Sequence, residues 1–332
     1  MSAPPAATPG HRAVSLLYQA LLTGCVLTLV TRRGETMAAE LVFRLFRRQH
    51  LEKFLPGLAK LGLDRLPHAV ACAQYHYLSN RLGGVKTEYV HESDAKAWVR
   101  YPPPRWIWAG ASICAIPSRV NAAMLEGWHG HNGVSLGNPR LGFVCTGQTV
   151  DGQPGLEGYY LEHDHDLAPY DPAIWRPARL DKVVRSYAME YVRTLMPVLQ
   201  DLVGPDEMRR VLGHAARLIG MQFYDETSAL LGVPAGGATG FADYLGRLAR
   251  AQGETVDVDA SGGVAVVRQT GWRLGAGLAP LHPAAFEAWS ELWHGALSVH
   301  DRRLRLEIAR SSRAGQDMIE WRIGEKGTHD AG

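Results

Sequence analysis

The chain has 332 residues, of which 46% are hydrophobic and 20% charged, and this globular composition excludes disorder along the whole chain. The net charge of +2, from 35 basic and 33 acidic residues, offers no field of one sign that would bind a nucleic acid. Only six of the 35 basic residues are Lys, which indicates a GC-rich bacterial source. The four cysteines are too few and too scattered for a disulfide framework or a CxxC metal site, so we expect a cytoplasmic protein.

Residues 13–30 form the first predicted element, a helix apolar enough to suggest a membrane span. The segment contains polar residues, and only His11 and Arg12 precede it as a charged flank. Its counterpart in the repeat described below, residues 186–203, carries three charged residues that a membrane core would not accept cheaply. We therefore expect residues 13–30 to be a buried helix of a soluble protein without a membrane partner.

The remaining elements are predicted from hydrophobic periodicity and turn residues. In the first half, helices are expected at about 35–50 and 66–82, a hairpin at 85–101, a helix from Pro117, and strands at 140–150 and 155–163. In the second half, helices are expected at about 186–203, 205–222 and 239–252, a hairpin at 255–270, a helix from Pro283, and strands at 302–312 and 316–323.

The two halves match each other in order, which indicates an internal duplication. The clearest match aligns WHGHNGVSLGNPRLGFV (128–144) with WHGALSVHDRRLRLEI (293–308). Three earlier segments match in the same order, 29–46 with 202–219, 97–101 with 266–269 and Pro117 with Pro283, at an offset that drifts from about 173 to about 163. The predicted fold class is α+β, with two tandem repeats of three helices followed by a β-β-α-β-β antiparallel unit. The expected division is a disordered tail at 1–12, a first repeat at 13–163, a linker at 164–182, a second repeat at 183–323 and a tail at 324–332.

The second half resembles the L-2-amino-thiazoline-4-carboxylic acid hydrolase family. The resemblance rests on the helical stretch LMPVLQDLVGPDEMRRVLGHAARLIG (195–220) and the two-stranded ending RLRLEIARSSRAGQDMIEWRI (303–323), within about 130 residues. It implies a helical start, a small antiparallel sheet at the end, and hydrolytic opening of a small ring containing C–N or C–S bonds. The same ending also resembles vinyl-reductase-type ligand-binding domains, which bind small molecules without necessarily reacting them. No catalytic residue is carried over from either family.

Two H-x-H sequences in the first half are the densest polar clusters. His129 and His131 lie in WHGHNG, and His163 and His165 lie in LEHDHDL. On a strand, positions i and i+2 share a face, so these four histidines are a candidate Zn²⁺ site that would activate water for hydrolysis. Two other interpretations remain open: metal-free acid–base catalysis by the same histidines, and a structural role with His129 packed in the core.

His129 aligns with His294 of the second half, and the first half adds His131 and Asn132, so we expect the working site there. A structural role for the Trp-His-Gly sequence is the alternative, with the glycine ending its helix in a left-handed conformation. Cys145 is a candidate nucleophile, although a buried apolar role is favoured for it, and equally for Cys72 and Cys114. Arg100 is expected either to bind a substrate carboxylate or to form a surface pair.

The sequence lacks a dinucleotide or phosphate loop, an HExxH zinc motif and a GxSxG nucleophile elbow. The prediction is a soluble hydrolase of a small, cyclic substrate, with a non-catalytic binder or sensor, or a lyase or isomerase, as alternatives. A homodimer is the assembly considered, and a divalent metal such as zinc the cofactor considered. The catalytic candidates are His129, His131, His163 and Cys145, and the substrate-binding candidates are Arg100, Tyr75, His76, Trp128 and Asn132.

Overall fold

The computed structural model of the protein describes residues 8–104, 107–167, 187–234, 236–261, 263–278, 280–313 and 316–326. The elements in chain order are α1 (Pro9–Arg33), α2 (Glu35–Leu61), α3 (His68–Leu82), β1 (Glu88–Ser93), β2 (Lys96–Tyr101), α4 (Ser118–Trp128), α5 (Asn132–Ser135), β3 (Leu141–Gly147), β4 (Leu156–Glu162), α6 (Tyr187–Val203), α7 (Pro205–Leu231), α8 (Gly237–Gln252), β5 (Thr255–Ser261), β6 (Val264–Thr270), α9 (Ala284–His300), β7 (Leu304–Arg313) and β8 (Gln316–Glu325). The predicted α+β class is confirmed, since in these described ranges helices accompany two antiparallel sheets of four strands each.

The chain divides into two compact units. The central unit comprises Leu29–Leu180, and the split unit comprises Met1–Thr28 together with Asp181–Gly332. This division differs from the expected repeat boundaries, because most of α1 belongs with the second half of the chain. The reason is packing within the split unit, where the Tyr18 hydroxyl donates to Gln252 Oε1 at 2.8 Å and accepts from Trp289 Nε1 at 3.1 Å.

In the central unit, the sheet has the strand order β1-β2-β4-β3. One face of the sheet is buried beneath α3, and α4 packs along α2. Alternation along the strands places Ala97, Val99 and Tyr160 on the buried face, while Trp98 and Tyr159 lie on the other face, half-buried. This buried face supplies one wall of the site described below.

In the split unit, the sheet has the corresponding order β5-β6-β8-β7. Helix α8 covers one face of the sheet, and α7 packs lengthwise along α9. The core is dominated by large aromatic rings, with Trp293 and Trp321 each within 6.4 Å of a neighbouring ring centroid in a cluster around Trp289. Burial of such rings is a large apolar contribution to stability.

Helices α2 and α7 are longer than the periodicity predicts. Each has 27 residues, and each ends at a glycine, Gly62 or Gly232, whose positive φ of 68° or 64° lets its N–H cap the last carbonyls. Helix α2 continues through Pro56 because Phe54 and Leu58, on either side, are buried and hold the last turns. Residues 1–12 are predicted to be a disordered tail, but helix α1 already begins at Pro9. Outside the described residues lie 1–7, the part of the expected linker at 168–182, and 327–332.

Helix α1 meets the length and composition of a membrane span, with a mean hydropathy of 1.9 in its most apolar window. Buried residues make up 56% of that window, and a core helix of a soluble protein meets the same criterion. The absence of a membrane partner and the cytoplasmic location therefore stay predictions.

Candidate functional site

Four histidines lie in the interior of the central unit, which we call the histidine cluster: His50, His76, His129 and His131. Each is at most 7% exposed. His50 comes from α2, His76 from α3, and the other two from the turn of 3-10 helix that follows α4. Histidine is seldom so fully buried, so four together in one core mark this region as a candidate site.

One side of the cluster is a stack of rings joined by hydrogen bonds. The rings of His76 and His129 are nearly parallel, with centroids 3.9 Å apart. The Tyr101 hydroxyl lies 2.9 Å from His129 Nε2. Asn132 Nδ2 donates to the Tyr160 hydroxyl at 2.9 Å and to His76 Nε2 at 3.1 Å. Because an amide nitrogen can only donate, His76 Nε2 is an acceptor and its proton is on Nδ1.

The other side of the cluster is held by two further hydrogen bonds. His50 Nε2 lies 2.8 Å from Ser135 Oγ. His131 Nδ1 donates to the Glu126 carbonyl oxygen at 2.7 Å, so in a neutral His131 Nε2 is the nitrogen that carries no proton. The indole of Trp128 lies between the two sides, with its centroid 5.9 Å from that of His50 and 6.1 Å from that of His76.

Burial keeps three of the four imidazoles neutral. It lowers the pKa of His50 and of His76 well below the ordinary 6.5, and lowers the pKa of His131 to about 4. Burial also raises the pKa of Tyr160, so this phenol stays protonated. At neutral pH the site therefore offers unprotonated imidazole nitrogens as proton acceptors and a phenol as a donor.

The structure separates the two H-x-H sequences. His129 and His131 are in a 3-10 turn and not on a strand, so the expected shared face is wrong for them. His163 packs beside Gly142, whereas His129 contacts the next residue, Phe143, and successive strand residues point to opposite faces of a sheet. His165 is exposed and pairs with Asp164 at 2.6 Å.

The expected metal set is therefore not assembled. Within the described ranges, no group of three or more His, Cys, Asp or Glu side chains is close enough to hold a metal ion. The described residues do not fit the zinc site that the sequence predicts.

Four of the substrate-binding candidates, Tyr75, His76, Trp128 and Asn132, surround His129 or its neighbours. Arg100 does not: it lies on the other face of the sheet, half-exposed, and pairs with Glu157 at 3.2 Å. Of the two alternatives expected for Arg100, the structure therefore shows the ion pair at the surface.

Cys145 is exposed, and so is Cys114, so the buried role favoured for both is wrong, whereas Cys72 is buried as expected. Strand β3 lies at the edge of its sheet, which leaves Cys145 uncovered. Partial desolvation raises the pKa of the Cys145 thiol, which reduces the thiolate available for nucleophilic attack.

The glycines of the two Trp-His-Gly sequences do not end their helices in the way that was expected. Neither Gly130 nor Gly295 has a positive φ, so neither caps its helix in the left-handed conformation. Gly295 lies inside α9, where an added Cβ would stand 2.1 Å from the Arg217 carbonyl oxygen, so the glycine permits close helix packing. His294 is half-buried, and burial lowers its pKa.

His294 lines an open cleft of about 480 Å³ on the split unit. The cleft is also lined by Arg209, Phe286, Ser290, Glu291, Ile308 and Arg310. Two of its charges are already neutralised, since Glu291 pairs with Arg217 at 2.7 Å and Arg310 with Asp317 at 2.7 Å. The histidine cluster differs from this cleft because it is buried and because each of its rings has a nitrogen within hydrogen-bond distance of a hydroxyl, an amide or a backbone carbonyl.

His50, Tyr101, Tyr160 and Ser135 were missed by the sequence analysis. A signal for His50 exists, because every fourth residue from Val42 to Leu58 is buried, and position 50 falls on that stripe of α2. A histidine on an apolar stripe predicts a buried imidazole. Tyr101 and Tyr160 show no such signal, since their bonds to His129 and Asn132 span 28 residues each.

Neither a protein-family model nor a curated protein nor a solved structure matches the chain. The resemblance to the thiazoline-carboxylate hydrolases accordingly stays a prediction.

Proposed function

We propose that the histidine cluster of the central unit is an acid–base site, and that the protein hydrolyses a small cyclic substrate containing a C–N or C–S bond. The observation that carries the proposal is the His76–His129 stack, buried and joined to Tyr101, Asn132 and Tyr160. A neutral imidazole can take a proton from an attacking water, and a neutral phenol can protonate the leaving atom of the ring. The reaction class comes from the family resemblance.

We also propose that the two units arose by duplication. Three observations support this: the same order of sheet strands, the same length of α2 and α7, and an Arg–Glu pair at the same register of each sheet. Arg100 faces Glu157 on the neighbouring strand, and Arg268 faces Glu320, with ion pairs of 3.2 and 3.4 Å. The site is then a specialisation of one copy.

The test uses the full-length protein and 2-amino-thiazoline-4-carboxylate as the probe. Water adds to the ring carbon between nitrogen and sulfur, the C–S bond breaks, and the sulfur takes up a proton, so a chromogenic disulfide detects the new thiol. His129→Gln keeps a polar group near the position of Nε2 but removes the base, and a loss of about 100-fold or more in kcat is expected. His294→Gln is the matched control and should keep the wild-type rate. Equal rates in wild type and His129→Gln would overturn the proposal.

A non-catalytic small-molecule binder is the second candidate, and the near-complete burial of the cluster favours it. A binder would hold a small heterocycle by the same hydrogen bonds without releasing a thiol. Binding of the intact probe by calorimetry, abolished in His129→Gln and without turnover, would establish this candidate over the hydrolase. Turnover without incorporation of ¹⁸O from labelled water would instead identify a lyase or isomerase.

A further inference from the structure

Helix α2 carries three arginines, which differ in whether a carboxylate lies next to the guanidinium. Arg44 pairs with Glu40 at 2.6 Å, and Arg48 pairs with Glu52 at 3.0 Å. Both pairs join residues four apart, the spacing at which helical side chains meet. The third arginine, Arg47, has no acid at that spacing.

None of the positions three or four residues from Arg47 is acidic, so its neighbours on the helix face supply no carboxylate. The Arg47 side chain is half-buried, and its Nη1 is fully buried without a hydrogen-bond partner among the described residues. Burial lowers the pKa of Arg47 to about 10, with no opposing contribution from an acid. A buried donor on a cation is costly to leave unmatched.

Arg47 lies beside the histidine cluster, because it precedes His50 by three residues on α2, a spacing at which helical side chains are neighbours. Its charge also helps to lower the pKa of both His50 and His131. The backbone of Arg47 also lies against α4 immediately before Trp128, since an added Cβ on Gly127 would stand 3.1 Å from the Arg47 nitrogen. Trp128 Nε1 is likewise buried without a hydrogen-bond partner among the described residues. Two donors without acceptors thus border the same site.

We propose that Arg47 binds an oxyanion group of the ligand, such as a carboxylate, next to the histidine cluster. The inference rests on the proposed function for the location of the site, and it adds the class of ligand and the residue that selects it. Arginine presents its donors in a planar fork that matches the two oxygens of a carboxylate. An anion there neutralises the buried charge, so ligands without a negative group are discriminated against.

The test measures anion binding without turnover. Thermal unfolding of the full-length protein is followed with increasing sodium acetate, at constant ionic strength maintained with sodium chloride. Acetate should raise the unfolding temperature of the wild type, and Arg47→Met should weaken the apparent acetate affinity by about tenfold or more, the loss of one charge-assisted hydrogen bond. Arg44→Met is the matched control and should bind acetate as the wild type does. An unchanged acetate response in Arg47→Met would overturn the inference.

A second measurement does not depend on the variant folding. In the wild type, bound acetate should neutralise Arg47 and so raise the pKa of His131, followed by NMR of the imidazole; no change would also overturn the inference. The outcomes separate the two proposals. Unimpaired turnover in His129→Gln would remove the proposed function while the acetate response stands, and a missing acetate response would remove only the role of Arg47.

Discussion

Acidification should unfold the protein through its buried histidines, and the effect can be isolated with His131→Asn. Asparagine places an amide N–H near the position of Nδ1, so the bond to the Glu126 carbonyl is kept while the titrating group is lost. Burial lowers the pKa of His131 in the folded state to about 4, against 6.5 in an exposed imidazole. Between about pH 4 and 6.5, His131 therefore binds a proton in the unfolded chain but not in the folded protein.

The difference in proton binding between the folded and unfolded states sets the sign and the size of the change in stability with pH. Stability from His131 is fully present above pH 6.5 and is lost as the pH falls from 6.5 towards about 4, because protonation favours the unfolded state throughout that window. The slope is about 1.4 kcal/mol per pH unit for each such proton, and the whole window corresponds to at most about 3 kcal/mol for His131. Screening by nearby solvent reduces this to about 2 kcal/mol. His50 and His76 act in the same direction, since burial lowers the pKa of each below its ordinary value.

Urea unfolding at pH 7.5, 6.5, 5.5 and 4.5 measures the effect. The free energy of unfolding of the wild type should fall steeply below pH 6.5, and the slope for His131→Asn should be shallower by about one proton near pH 5. His214→Asn is the control, because His214 is exposed on α7, and its slope should equal that of the wild type. A wild-type slope in His131→Asn, or greater stability at pH 5.5 than at 7.5, would refute the reasoning.

Three further predictions concern packing and reactivity. Gly220→Ala should destabilise the protein by several kcal/mol in chemical unfolding, because its Cβ would stand 1.9 Å from a carbonyl oxygen of α9, whereas Gly213→Ala, with no neighbour closer than 3.6 Å, should be neutral or stabilise by about 1 kcal/mol. Asn132→Leu should cost about 2–4 kcal/mol, because it leaves an imidazole nitrogen and a phenol buried without the amide; a cost under 0.5 kcal/mol would contradict the hydrogen bonds described. Iodoacetamide should alkylate Cys145 in the native protein and leave Cys72 intact until unfolding, as peptide mass spectrometry would show; equal labelling would contradict their burial.

Local patterns in the sequence account for most of the secondary structure. Alternation in TVDVDA and VAVVRQT predicts the hairpin that the structure forms as β5 and β6, and glycine after Leu61 or Leu231 marks where a long helix ends. The predicted ends of α2 and α7, at about residues 50 and 222, come too early, because the buried positions beyond them are spaced more widely. Packing against neighbouring elements, rather than local propensity, sets those lengths.

The sequence predicts which types of residue form the site, but not how their side chains are arranged. Spacing cannot tell whether H-x-H lies on a strand or in a helical turn, and this decides whether His129 and His131 share a face. The second H-x-H sequence predicts that His163 joins them, yet the pleat of the sheet places His163 on the opposite side. Bonds such as Tyr101 to His129 join β2 to the turn that follows α4, so they depend on tertiary structure that no local window contains.

The two cores show what the polar cluster costs. At matching register, Tyr160 faces Ala97 in one sheet, and Ile323 faces Ala265 in the other. The apolar version needs no hydrogen-bond partners, whereas the polar version must satisfy every buried nitrogen and hydroxyl or lose stability. Both versions fold on the same strand order, so the fold does not require the histidines. The fold is compatible with an apolar core, yet one of its two units keeps stacked imidazoles, phenols and an amide. This difference favours the interpretation that the cluster is retained for chemistry or ligand binding.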